Sequence, residues 1–156
     1  MSTRSYEQRL RAQRAEATRR RILDAVYARL REAPTQPVGL DRVARMAGVS
    51  RSTVYLIFGS RAGLFDALGS DLLDRGGFEQ VLDAAANPDA RASVREGIGA
   101  VVRMYASERD VVRVLHSMAT LDPDAVGGAI QRMERRRASG IAQQAQRLAD
   151  DKLLRP

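Results

Sequence analysis

Apolar side chains recur along this sequence at steps of three and four residues, the spacing that places them on one face of an α-helix. Seven helices are predicted from this spacing, and no run of five or more alternating apolar and polar residues predicts a strand. The predicted helices cover residues 15–31, 40–47, 51–58, 61–73, 90–106, 109–120 and a long segment after Asp122 and Pro123. The protein is therefore predicted to be all-α.

The largest apolar residues define the faces that we expect to be buried in the second half of the chain. In the helix at 90–106 these are Val94, Ile98, Val101, Val102 and Tyr105. In the long last helix they are Val126, Ile130, Met133, Ile141, Ala145 and Leu148. No helix is predicted between the glycines at 76 and 77 and the turn at 87–89, because both sequences are typical of chain breaks.

Residues 40–58 have the pattern of two short helices joined by a tight turn. Gly48 provides a residue that tolerates a positive φ, Val49 provides an apolar plug for the turn, and Ser50 is suited to cap the second helix. This pattern is typical of a helix-turn-helix, whose second helix fits the major groove of DNA. As a bare shape it is weakly specific, since other helical corners share it.

The net charge of +7 lies entirely in the first part of the chain. Residues 1–66 contain 13 arginines and six acidic residues, whereas the other 90 residues contain 13 basic and 13 acidic ones. A basic N-terminal part on a neutral body favours binding to a polyanion, with nucleic acid ahead of anionic lipid. The alternative is an arginine-rich face that is merely solvated.

The composition argues against several classes of protein. With no cysteine and one histidine, His116, the chain cannot readily build a cysteine or histidine metal site or a Ser-His catalytic set, so we expect no enzyme and no cofactor. No apolar stretch approaches the roughly 20 residues that a membrane-spanning helix needs, and the N-terminus lacks the apolar region of a signal peptide. We therefore expect a cytoplasmic protein without a membrane partner.

Two stretches together identify a family resemblance: residues 20–25 read RRILDA and residues 43–65 read VARMAGVSRSTVYLIFGSRAGLF. They closely resemble the TetR-type transcriptional repressors, and the resemblance covers about residues 15–75. It departs from the common pattern at Val38 and Gly39, where members often have Thr or Ser, and at Ile57, where they often have His. The resemblance implies an operator-binding surface made of Ser50, Arg51, Ser52, Thr53, Tyr55, Leu56 and Arg61. In this arrangement Arg61 contacts a phosphate.

The same resemblance implies a C-terminal domain that binds a small effector and forms a homodimer. Candidate pocket residues are Leu72, Val101, Tyr105, Val112, Leu115, His116, Met118 and Met133. Two further helices usually dimerise members of this family, and we expect them to be missing here. Either the chain is truncated, or it dimerises through its last two predicted helices, where Val126, Ile130, Ile141 and Leu148 form a stripe.

These patterns divide the chain into a basic arm at 1–14, a helix-turn-helix domain at 15–60 and a regulatory domain at 61–156. The expected function is a repressor that binds double-stranded DNA and is relieved by a small apolar effector. The alternative is a helical interaction protein that acts through protein partners, for example in inactive heterodimers. Each candidate also has a purely structural interpretation. His116 would be a hydrogen-bonded histidine of the core or pocket wall, Tyr55 a half-buried ring, and the remaining apolar residues would be core: Val43, Val49, Val54, Phe58, Leu64 and Phe65.

Overall fold

The computed structural model describes residues 3–153, and the side chains of residues 6–153. Over this range the chain is helical and contains no strand, which confirms the all-α prediction. The eight α-helices in this range are α1 (Thr3–Glu32), α2 (Leu40–Ala47), α3 (Arg51–Phe58), α4 (Arg61–Arg75), α5 (Phe78–Ala86), α6 (Ala90–Ser107), α7 (Arg109–Leu121) and α8 (Gly128–Asp150). A short π-helical turn, Pro123–Gly127, joins α7 to α8.

The helices form two compact units, and the boundary falls inside α4, after Leu68. In the first unit, the C-terminal half of α1 packs on α2 and α3. Its core is closed by Leu64, Phe65 and Leu68 from the start of α4, all of which are fully buried. The core also contains Ile22, Leu23, Val26, Leu30, Val38, Val43 and Val54. Of the six residues expected to be core, Val49 and Phe58 are only half-buried.

The second unit contains a helix that the sequence pattern does not predict. Helix α5 lies between Gly77, which has a φ of 85°, and the turn that begins at Asn87. It packs extensively on α6. Helix α8 packs against α6, α7 and the π-helical turn.

The expected inward face of α6 is wrong. Ile98 and Val102 are 62% and 61% exposed, whereas the buried positions are Ala90, Ser93, Ala100 and Met104. The buried face is built mainly of small side chains because α5 and α8 both pack against this helix. In α8 the expected inward residue Ile141 is likewise exposed, and Met133 is buried.

Candidate nucleic-acid interface

The turn between α2 and α3 has the geometry expected of a helix-turn-helix. Gly48 ends α2 with φ 66° and ψ 37°, a left-handed conformation that glycine adopts without steric cost. Its N–H donates to the carbonyl of Arg45 at 3.1 Å, and the next N–H, of Val49, donates to Ala44 at 2.9 Å. The last carbonyls of α2 are thereby satisfied, and the chain is redirected into α3 within three residues.

Replacing Gly48 by valine should destabilise the first unit by about 1–3 kcal/mol, because a β-branched residue is strained at a positive φ. Asparagine tolerates the left-handed region, so Gly48→Asn is the matched control and should cost less. Urea unfolding of the two variants measures the difference. Equal losses would show that crowding and not backbone conformation sets the requirement, although a Cβ on Gly48 has no atom within 4 Å.

Ser50 caps α3 as predicted from the sequence. Its Oγ accepts a hydrogen bond from the N–H of Thr53 at 3.1 Å. The hydroxyls of Ser52 and Thr53 lie 2.7 and 2.8 Å from the same Oγ. Three hydroxyl groups therefore converge at the positive N-terminal end of α3, an environment that favours phosphate oxygens.

Arg51 lies across the exposed face of α3 and α2. Its guanidinium is 3.3 Å from Asp41 Oδ2, donates to the Tyr55 hydroxyl at 3.4 Å and lies 5.7 Å from the Tyr55 ring centroid. The hydrogen bond to Tyr55, followed by the charge of Asp41, raises the pKa of Arg51 above its ordinary value. Arg51 is therefore cationic at every physiological pH. Because both members of the Arg51–Asp41 pair are exposed, the pair contributes little to stability and can be exchanged for a ligand.

Tyr55 and Leu56 extend the exposed face along α3. Leu56 is 86% exposed, and the Tyr55 ring is 39% exposed. A large aliphatic side chain that is almost fully exposed on a short helix is well placed for apolar contact with a thymine methyl group.

Arg61 occupies a different environment from the other interface residues. It is half-buried, its guanidinium lies 5.5 Å from the Phe65 ring centroid, and it donates to the carbonyl of Val38 at 3.4 Å. Two exposed arginines of α2, Arg42 and Arg45, were not singled out in the sequence. Their only sequence signal is membership of the basic N-terminal part, since neither belongs to the recognition helix.

The candidate effector-pocket residues do not share one environment. Leu72, Leu115 and Met133 are buried, and His116 is exposed on α7. The other four are half-buried: Val101, Tyr105, Val112 and Met118. The interpretation of His116 as a core residue is wrong, because its Nδ1 donates to the Val112 carbonyl at 2.9 Å while the ring lies at the surface.

Two of these candidates lie near Glu134 on α8. The His116 Nε2 is 3.9 Å from Glu134 Oε1. Partial burial, followed by the negative charge of Glu134, raises the pKa of Tyr105. Elsewhere in this unit an open groove of about 340 Å³ is lined by other residues: Gln80, Asp83, Ala84, Glu96, Ala100 and Arg103.

Two negative findings apply to the described part of the chain. It contains no group of three or more His, Cys, Asp or Glu side chains placed to hold a metal ion. None of its helices, including the long α1 and α8, combines the length and apolar character needed to cross a membrane.

Comparison with known proteins supports the assignment of the first unit. Residues 22–68 match the family described as bacterial regulatory proteins, tetR family. The chain is also 26% identical over 116 residues to a Bacillus subtilis (strain 168) protein named uncharacterized HTH-type transcriptional regulator YhgD. That match covers 73% of this chain and 60% of the relative, so the chain spans about 60% of the length of the curated relative. No solved structure matches the chain significantly. The family match and the helix-turn-helix geometry of residues 40–58 identify this chain as a member of the tetR family of bacterial regulatory proteins.

Proposed function

We propose that this protein is a transcriptional repressor that binds a double-stranded DNA operator through the exposed face of α3. The observation that carries the proposal is the group of polar and apolar side chains exposed on that short helix. This face includes Ser52, Arg51, Tyr55 and Leu56, and the half-buried Thr53 lies beside it. The regulator name of the Bacillus subtilis relative supports the same class of function.

Each exposed group has a chemical partner on DNA. The planar guanidinium of Arg51 suits the O6 and N7 acceptors of guanine, which it contacts by releasing Asp41. The hydroxyls of Ser50, Ser52 and Thr53 surround the N-terminus of α3 and suit phosphate oxygens. Leu56 suits a thymine methyl group. Direct base reading would thus come from Arg51 and Leu56.

Arg61 would act on the DNA backbone. Its contacts with the Phe65 ring and the Val38 carbonyl hold the guanidinium at the start of α4. A positive side chain fixed at this position suits one phosphate and carries no sequence information.

The protein would act as a homodimer in the cytoplasm. Helix α3 has only eight residues, so one copy covers few base pairs, and two copies on a symmetric operator double the contact. A small apolar effector would bind near the half-buried residues of α6 and α7 and release the DNA. The alternative of an interaction protein is less favoured, because it gives no role to the exposed polar face of α3.

We expect Arg51→Ala to weaken operator binding by about 1–3 kcal/mol, or roughly 5- to 150-fold, with little loss on random DNA. Arg61→Ala should weaken binding to all sequences alike and lower the salt slope by about one. The test first selects binding sites from a random duplex library with the unmodified protein. The two variants are then titrated against a selected site and a scrambled site at two salt concentrations.

Equal losses on both sites for both variants would contradict these roles. Selected sites with inverted repeats would support the homodimer, whereas single asymmetric sites would contradict it. Failure to select any sequence would refute operator recognition itself and favour the interaction protein. Release of the selected site by apolar compounds tests the effector.

A further inference from the structure

The N-terminal two-thirds of α1 lies outside the core of the first unit. The first buried side chain of this helix is Ile22, and almost all side chains from Tyr6 to Arg21 are exposed. We call residues 3–21 the helical arm. At 1.5 Å per residue it is about 28 Å long, comparable with the diameter of a small domain. Residues 3–14 are thus part of a continuous helix.

The helical arm carries a stripe of arginines along one face. Arg11, Arg14 and Arg21 are separated by three and seven residues, which places them close together around the helix axis. Thr18 lies between them: its hydroxyl donates to the Arg14 carbonyl at 2.9 Å, and Arg21 Nη2 donates to that hydroxyl at 3.5 Å. We call Arg11, Arg14 and Arg21 the arginine stripe.

The carboxylates of α1 do not neutralise this stripe. Glu16 lies 4.0 Å from Arg19, and Asp24 lies 3.4 Å from Arg20, so both pair with arginines outside the stripe. None of the three stripe arginines forms an ion pair with a carboxylate in the range 6–153. Their charges are therefore available to an external anion.

The helical arm leaves the core beside the recognition helix. The guanidinium of Arg19 lies 5.6 Å from the ring centroid of Phe58, the last residue of α3. The arm therefore starts next to the end of α3, within the same compact unit. DNA that holds α3 in its major groove would lie close to the base of the arm.

We propose that the helical arm binds the phosphate backbone of DNA that flanks the operator half-site, through the arginine stripe. This inference rests on the proposed operator binding by α3. The stripe spans ten residues, about 15 Å along the helix, which is enough to reach phosphates on both sides of a major groove about 12 Å wide. Guanidinium groups bind phosphate bidentately, and these contacts add affinity without sequence preference.

A membrane surface fits the arm less well than DNA. Helices that lie in a membrane interface need a broad apolar face opposite their charges. In residues 6–21 the large apolar side chains are limited to Tyr6 and Leu10, and alanines and charged residues fill the remaining faces. The partner that remains is a polyanion recognised through charge alone.

The test compares the triple variant Arg11→Gln, Arg14→Gln, Arg21→Gln with a control of equal charge on the second unit. The control changes three exposed arginines to glutamine: Arg95, Arg135 and Arg136. Both variants and the unmodified protein are titrated against the selected operator with and without about one helical turn of flanking DNA on each side. Circular dichroism verifies that all three proteins have the same helix content.

The unmodified protein and the control should bind the flanked operator more tightly than the short one, and the triple variant should lose this preference. Three lost phosphate contacts should lower the slope of log affinity against log salt by about 2.7 per bound copy. Between about 50 and 200 mM salt, the triple variant should then lose about 40-fold less affinity for flanked DNA than the unmodified protein.

An unchanged slope and an unchanged flank preference in the triple variant would overturn the proposal. Binding of the unmodified protein to vesicles rich in phosphatidylserine, lost in the triple variant without any change on DNA, would also overturn it. Absence of any selected operator would refute the proposed function separately. Random duplexes of the two lengths would then test the arm, because its contribution to the salt slope needs no operator.

Discussion

Replacing Phe65 by alanine is expected to destabilise the first unit by about 3–5 kcal/mol. Phe65 is the largest of the fully buried side chains, and its removal leaves a cavity in the core that holds α1, α2 and α3 together. A loss of this size is a large fraction of the 5–15 kcal/mol that stabilises a typical domain. Operator binding should fall in parallel, since α3 is positioned by this core. Urea unfolding, monitored by circular dichroism, measures the loss.

The control Phe65→Leu separates packing from the contact with Arg61. Leucine keeps much of the buried volume, so the free energy of unfolding should fall by less than for alanine. It removes the aromatic face over which the Arg61 guanidinium lies. If that contact positions Arg61 for a phosphate, Phe65→Leu should weaken binding to all DNA sequences while the unit remains folded. A loss below about 1 kcal/mol for Phe65→Ala would contradict its place in the core.

The helix-turn-helix could be predicted from the sequence because its signals are local. A glycine in the left-handed conformation at Gly48 and a serine cap at Ser50 each occupy the position that the pattern indicates. The bounds of α2 and α3 match the prediction, and α4 extends two residues further. These elements need no information about distant parts of the chain.

Helix α5 and the helical arm were missed because they lack the apolar periodicity on which the prediction relied. Helix α5 has nine residues, ends in three alanines and lies between two chain-breaking sequences. The arm is rich in alanine, arginine, glutamine and glutamate, which favour a helix by intrinsic propensity without an apolar face. Periodicity reports burial and is therefore silent about a helix that buries nothing.

The orientation of side chains in the site depended on contacts between distant residues. Asp41 and Arg51 are ten residues apart and meet only because the turn at Gly48 brings α2 and α3 together. The buried face of α6 is another example, since its small residues are selected by the approach of α5 and α8. Neither arrangement has a signature within one helix.

In the second unit, replacing Arg147 by alanine should lower the free energy of unfolding by about 2–3 kcal/mol. The Arg147 guanidinium donates to the carbonyls of Ala85 at 2.6 Å and Asn87 at 2.7 Å, at the end of α5. It also lies 3.2 Å from the hydroxyl of Ser93, a fully buried residue that donates to Gln144. Loss of the guanidinium would leave two carbonyls at a helix end without their charged donor.

This effect should be concentrated in the second half of α8. Beyond Met133 this helix has no fully buried residue, so its contacts through Gln144 and Arg147 anchor it to α5 and α6. Arg147→Lys keeps the charge but cannot bridge two carbonyls with a planar fork, and it should recover only part of the loss. Arg135→Ala, on an exposed position of the same helix, should be nearly neutral. Urea unfolding gives the free energies, and amide hydrogen exchange should show faster opening of residues 138–150 in Arg147→Ala. If Arg147→Ala is as neutral as Arg135→Ala, water replaces the guanidinium at both carbonyls, and the end of α8 is held by packing instead.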